Sequence, residues 1–107
     1  MALFEKPMPA DIEKARQALE ACREKIDDVD LRILALLNER TAIAEQIGRI
    51  KREAQLPIYE PKREDQVFAN VTGNNHGPLP DEAVRRVFER IIDEMRRVQK
   101  LRMEQEK

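Results

Sequence analysis

The residues of this chain with the most evident chemistry are cations set where apolar side chains belong. Arg23, Arg40 and Lys51 lie in one stretch, Ala10 to Ala54, that holds no proline and a single glycine, Gly48. Arg40 and Lys51 are eleven residues apart, close to three helical turns. On a helix both project from the same side, about 16 Å apart along the axis. Side chains of that length can reach one ligand between them, beside Ile47 and Gly48. Arg23 lies about 25 Å from Arg40 and roughly a quarter turn off its face. It cannot share a ligand with Arg40 of the same chain, but an antiparallel partner chain could supply it. Glu60-Pro61-Lys62-Arg63-Glu64 places more charge at the predicted start of a second helix, where backbone N–H groups are unpaired. Gln99 puts one neutral amide on the predicted buried face of a third helix. Two readings of Arg40 stay open: an anion site, or an ion pair with an acid across an interface.

That inventory also excludes chemistry. There is no Ser/His/Asp set and no cysteine beside a base. His76 and Cys22 are the only residues of their kinds, and together they make no metal site. No cofactor is implied. An enzyme built from this set works without covalent or general-base steps.

The elements that must position these groups are helices. Leu19, Cys22, Ile26, Val29, Ile33, Leu36, Ile43, Ile47 and Ile50 recur at alternating steps of three and four, with Arg40 filling the gap. A helix of that span is about 65 Å long, too long for a compact domain of this size, so a partner is expected. Leu34, Leu37 and Ala44 widen the apolar face. Gly48 costs about 1 kcal/mol in a helix interior, which close approach of another backbone or room for a ligand would explain. Cys22, within the seam, reads as a small buried hydrophobe. Pro57 ends the helix. A short helix follows from Pro61 to about Thr72, with Val67, Phe68 and Val71 on its apolar face and Gly73 as its C-terminal cap. Residues 73–80 form a turn-rich loop with His76 in solvent. A third helix runs from Asp81 to about Gln105. Its stripe reads Val84, Val87, Phe88, Ile91, Ile92, Met95, Val98, with Gln99 at the next place, and its polar end frays from Lys100. Residues 1–9 read as a flexible leader and 10–107 as a single domain.

Composition agrees. The 107 residues carry 20 Lys plus Arg against 21 Asp plus Glu, a net charge of -1 that disfavours a general nucleic-acid binder. Charged residues make up 38% and aromatics 4%, with no Trp and three Gly, which reads as all-α. No apolar run reaches the roughly 18 residues of a membrane span, and no secretion signal is visible. A cytoplasmic protein is the expectation.

Arg23-Glu24-Lys25-Ile26-Asp27, Asp30, Asn38-Glu39-Arg40, Ile47-Gly48-Arg49-Ile50-Lys51 and Pro61-Lys62-Arg63-Glu64, in this order, resemble the all-α, type II chorismate mutase family. The loop Asn75-His76-Gly77-Pro78-Leu79 and the helix Phe88 to Gln99 extend the resemblance over residues 16–102. It implies an intertwined homodimer of three-helix chains, with Arg23 donated to the neighbouring site, and the Claisen rearrangement of chorismate to prephenate in phenylalanine and tyrosine biosynthesis. By resemblance, Arg23 and Arg40 bind the substrate carboxylates with Arg63 in support. Lys51 and Gln99 donate to the ether oxygen. Glu64 accepts from the ring hydroxyl, with Glu60 nearby. Ile47 and Ile92 are apolar walls. Met95 departs from members that carry a small hydroxyl residue one turn before the glutamine, which puts one carboxylate contact in question. Other members have a glutamate in place of Gln99. The neutral amide here implies no acidic optimum. Alternatives are an isochorismate-pyruvate lyase on the same fold and a non-catalytic helical dimerisation or regulatory module. With no second domain following, the expectation is a free-standing catalyst.

Overall fold

The computed structural model describes residues 8–105 as three helices, α1 (Pro9–Glu53), α2 (Pro61–Gly73) and α3 (Asp81–Gln105), with no strand among them. The all-α expectation holds. Most of the expected leader lies outside the described residues. Helix α1 begins one residue earlier than expected, with Pro9 as its first residue. Proline suits that place, where a backbone N–H has no helical acceptor. The Met8 carbonyl accepts from Asp11 N at 2.9 Å and from Ile12 N at 3.1 Å.

The chain divides into two units, Met1–Asn38 and Glu39–Lys107. In the first, every described residue is exposed except the half-buried Leu37. The seam read from the sequence is therefore uncovered: Leu19 is 53% exposed and Leu36 63%. Cys22 is exposed as well, contrary to the expectation of a buried thiol. Periodicity identified the apolar face, and in the first unit its described residues are exposed.

The second unit holds the end of α1 with α2 and α3. Ala44, Val84, Ile92 and Met95 form its buried core. Helix α1 stops in a paired-bond motif: Leu56 N donates to the Lys51 carbonyl at 2.7 Å and Gln55 N to the Arg52 carbonyl at 3.2 Å. Gln55 takes the left-handed conformation (φ 56°) that glycine usually supplies there. Pro57 then prevents any resumption of the helix. Gly48 lies where α1 meets α3, and a Cβ at this position would sit 3.3 Å from the Gln99 Cα. Close approach, rather than ligand space, accounts for the glycine.

Helix α2 has Pro61 in its first turn, and Val67, Phe68 and Val71 are half-buried as expected. Its cap is Asn74, not Gly73. Asn74 donates from its backbone N–H and from Nδ2 to the Asn70 carbonyl, at 3.2 and 2.8 Å. This side chain replaces the left-handed glycine cap. In the following loop, Asn75 Nδ2 donates to the Leu79 carbonyl and to Asp81 Oδ1, tying the loop to the start of α3. His76 is exposed, as expected for the loop. Val87 is 51% exposed and stands off the buried stripe of α3. The end of α3 stays helical to Gln105, where Arg102 Nε lies 2.9 Å from Glu45 Oε2.

Candidate active site

A cavity of about 460 Å³ opens within the second unit, between the end of α1, the Ile58–Glu60 connection, α2 and α3. Ligand sites commonly have this size. It brings together Arg40, Ile47, Lys51, Glu60, Arg63, Glu64, Ile92, Met95 and Gln99. Those are nine of the ten residues expected from the sequence. The tenth, Arg23, belongs to the first unit, where it is exposed and its Nη1 lies 4.0 Å from Glu20 Oε2.

Lys51 and Gln99 are each 8% exposed, an unusual burial for a lysine. Three acceptors surround the Lys51 ammonium. The Ile58 carbonyl is at 2.9 Å, Glu60 Oε1 at 3.0 Å and Gln99 Oε1 at 3.3 Å. An ammonium has three protons, so all of them are engaged. The turn after α1 makes this possible, since it folds Ile58 and Glu60 back over Lys51. The contact to Lys51 also fixes the Gln99 amide: its oxygen accepts, which leaves the Nε2 protons for another acceptor.

Arg40 is half-buried, and among the described residues no acid pairs with it. Burial first, and the like charge of Arg63 second, hold its guanidinium below the usual arginine range. Two like charges facing one cavity, with no acid paired to Arg40, form an arrangement that an anion relieves. Of the two readings of Arg40, this favours the anion site.

Glu64 occupies the first turn of α2, where its carboxylate meets Arg96 of α3. Arg96 Nε is 3.1 Å from Glu64 Oε2, and Nη2 donates to Oε1 at 3.4 Å. Ile47 and Ile92 line the apolar side. Met95 is 7% exposed, and the Thr41 hydroxyl donates weakly to its sulfur at 3.6 Å. Thus the side chain at this position is part of the core.

Sequence reasoning missed Arg96 and the Ile58 carbonyl. Arg96 had a faint signal, being one helical turn before Gln99. The carbonyl had none, because any residue could provide it. Among the described residues, no group of three or more His, Cys, Asp or Glu is placed to hold a metal ion, and no helix is long and apolar enough to cross a membrane.

Comparison with known proteins places this geometry in a family. The family model for chorismate mutase type II matches residues 22–100. The chain is 40% identical over 80 residues to the bifunctional chorismate mutase/prephenate dehydratase of Aquifex aeolicus, a match covering 71% of this chain and 22% of that protein. It therefore spans about a fifth of the length of that relative. The chorismate mutase of Methanocaldococcus jannaschii is 29% identical over 90 residues, with 83% of this chain and 91% of that one covered. Among solved structures, form II of the chorismate mutase from Thermus thermophilus superposes with a TM-score of 0.76 at 38% identity, covering 78% of this chain and 94% of that one.

Proposed function

Because the chain belongs to the chorismate mutase type II family, we propose that it catalyses the rearrangement of chorismate to prephenate. The observation that carries this reading is the buried Lys51–Gln99 pair, set in one cavity with Arg40, Arg63 and Glu64. The family match favours it over the lyase and over a non-catalytic module.

The substrate is a dianion, and its carboxylates leave water only where cations replace the lost hydration. Arg40 and Arg63, near enough for the charge of one to act on the other, receive them. Ile47 and Ile92 bound the ring, and the walls hold the flexible substrate in its folded reactive form. As the C–O bond lengthens, negative charge grows on the ether oxygen. Lys51 and the Gln99 amide donate to that oxygen, a preorganised electrostatic contribution of about 3 kcal/mol for one such donor. Lys51 has no spare proton in the ligand-free chain, so one of its acceptors must yield. Glu60, whose side chain is 46% exposed, has solvent to turn to and lies close to the expected ring hydroxyl. Glu64 accepts from that hydroxyl. No proton transfer or covalent intermediate is required.

The working unit is a homodimer in which Arg23 reaches the neighbour's cavity. The uncovered seam of the first unit supports this, as does the placement of Arg23 outside the unit that holds the cavity. The decisive assay incubates purified protein with chorismate and follows its consumption and the appearance of prephenate. Turnover at an ordinary enzymatic rate is expected. No prephenate from chorismate, with pyruvate released from isochorismate instead, overturns the proposal. A monomer mass by light scattering at micromolar concentration refutes the shared site.

A further inference from the structure

We infer that a second cavity, beside the candidate site, is a docking point for the incoming substrate. Arg97 and Lys100 take one carboxylate of the dianion there before it passes into the first cavity. The inference rests on the proposed mutase reading, which supplies the dianion.

The second cavity has a volume of about 350 Å³ and is lined by Ile58, Tyr59, Asp93, Arg96, Arg97 and Lys100. It adjoins the first, because Ile58 and Arg96 line both. Three of its residues are cations and one is an acid, and that acid is already engaged. Asp93 Oδ1 accepts from Arg96 Nη2 at 2.8 Å. Arg97 Nη1 is 3.5 Å from Glu94 Oε1, an oxygen that Arg90 Nη2 approaches more closely, at 3.0 Å. Among the described residues no acid pairs with Lys100. Arg97 and Lys100 are three residues apart on α3, so they are neighbours on one helix face, where like charges repel. A carboxylate set between them removes that repulsion.

The surroundings give the pair a purpose. The whole chain carries a net charge of -1, so its distant field does not draw in a dianion. Attraction has to come from a local surplus of cations beside the site. From Arg97 and Lys100 the cations continue inward. Arg96, with its guanidinium over the Tyr59 ring at 5.2 Å from the centroid, stands between the two cavities. Beyond it lie Arg40 and Arg63. Water recedes along the same path: the Arg97 side chain is 66% exposed and that of Arg96 36%. Exposed cations hold an anion weakly. Weak holding suits a docking point, since tight binding outside the first cavity would trap the substrate there.

The test compares the wild type with Arg97→Gln, Lys100→Gln, their double variant and the reversal Lys100→Glu. Arg86→Gln is the control. It removes the same charge from an exposed place on α3, eleven residues and about 16 Å before Arg97. Circular dichroism and light scattering check folding and mass. At about 20 mM salt the double variant is expected to lose about threefold to tenfold in kcat/KM on chorismate with kcat within about twofold, and Lys100→Glu to lose more than Lys100→Gln. At about 500 mM salt, where charges are screened within a few ångströms, the loss falls below about twofold. Arg86→Gln changes kcat/KM by less than about 1.5-fold at either salt. Heteronuclear NMR with prephenate gives a readout independent of turnover. Once the first cavity is saturated, further prephenate at low salt still shifts the amides of Tyr59, Arg97 and Lys100, and does not do so in the double variant. Unchanged kcat/KM, a loss that salt does not relieve, a loss matched by Arg86→Gln, or amides that stay still past saturation overturns the inference and leaves the mutase reading intact. Should a variant fail to fold, the wild-type titration decides. A wild type inactive on chorismate removes the mutase reading itself, before any variant is compared.

Discussion

Replacing Lys51 with methionine separates what this lysine does for folding from what it does for the reaction. Methionine keeps the unbranched stem, so packing around the shaft changes little. The change deletes one cation and the three donors that engage the Ile58 carbonyl, Glu60 Oε1 and Gln99 Oε1. Each buried acceptor left without a partner costs about 1–3 kcal/mol. The Glu60 pair adds little, about 1 kcal/mol at most, because Glu60 is nearly half exposed. Against these losses stands the desolvation of a lysine at 8% exposure, several kcal/mol for a buried ion and regained when the charge is removed. The terms oppose each other, so ligand-free stability moves by no more than about 2 kcal/mol in either direction. The transition state has no such compensation. Losing a donor to the developing oxyanion costs about 3 kcal/mol, roughly a hundredfold or more in kcat. Steady-state chorismate consumption, thermal melting and light scattering on the same preparation measure the two effects independently. A folded variant of native mass whose kcat lies within about threefold of the wild type would sink the mechanism, because Lys51 would then be structural.

Other residues give independent checks. Arg40→Met is expected to melt no lower than the wild type without ligand, since burial and Arg63 both disfavour the cation, yet to bind chorismate far more weakly; a clear drop in Tm with turnover retained would restore the ion-pair reading. Gly48→Ala improves helix propensity by about 1 kcal/mol but sets a methyl 3.3 Å from the Gln99 Cα, so kcat should fall several-fold with little change in Tm, and unchanged kcat argues against a tight demand on Gln99. The profile of kcat should stay flat between about pH 6 and 8, as the Gln99 amide does not titrate, and a collapse in that window contradicts it. Mixing Arg23→Ala and Lys51→Met chains should recover about a quarter of wild-type activity, because each mixed dimer regains one intact site, whereas an Arg23 acting in its own chain recovers none.

The sequence was most legible where physics makes an exception expensive. A cation in an apolar seam, a glycine inside a long helix and an amide on a buried stripe each call for a reason. Arg40, Gly48 and Gln99 were found that way, and the structure sets all three around or beside one cavity. The three helices followed from periodicity and proline placement. What escaped had no such mark. Arg96 stands among other charged residues near the end of α3, and only the opposing Glu64 distinguishes it. The Ile58 carbonyl is backbone, so residue type is silent about it. Gln55 takes a left-handed cap without being glycine, and Asn74 caps α2 with its side chain where a glycine was the simpler guess. Cys22 failed for a different reason: a repeat shows which face is apolar but not whether the same chain covers it.

The distribution of burial connects stability to function. In the second unit, Lys51 and Gln99 are as deeply buried as the apolar core residues Val84, Ile92 and Met95. The best-packed region of the chain is thus the wall of the candidate site, polar groups included. The first unit offers the reverse, with Ile26 57% and Leu34 55% exposed on a face that alternates threes and fours. Full burial of one such side chain is worth about 1.5–3 kcal/mol. In the proposed homodimer that gain comes on association, and the partner that brings it would also bring an Arg23. Covering the seam and completing the carboxylate end of the cavity are then one event, so a dilution that separates the chains should remove stability and turnover together.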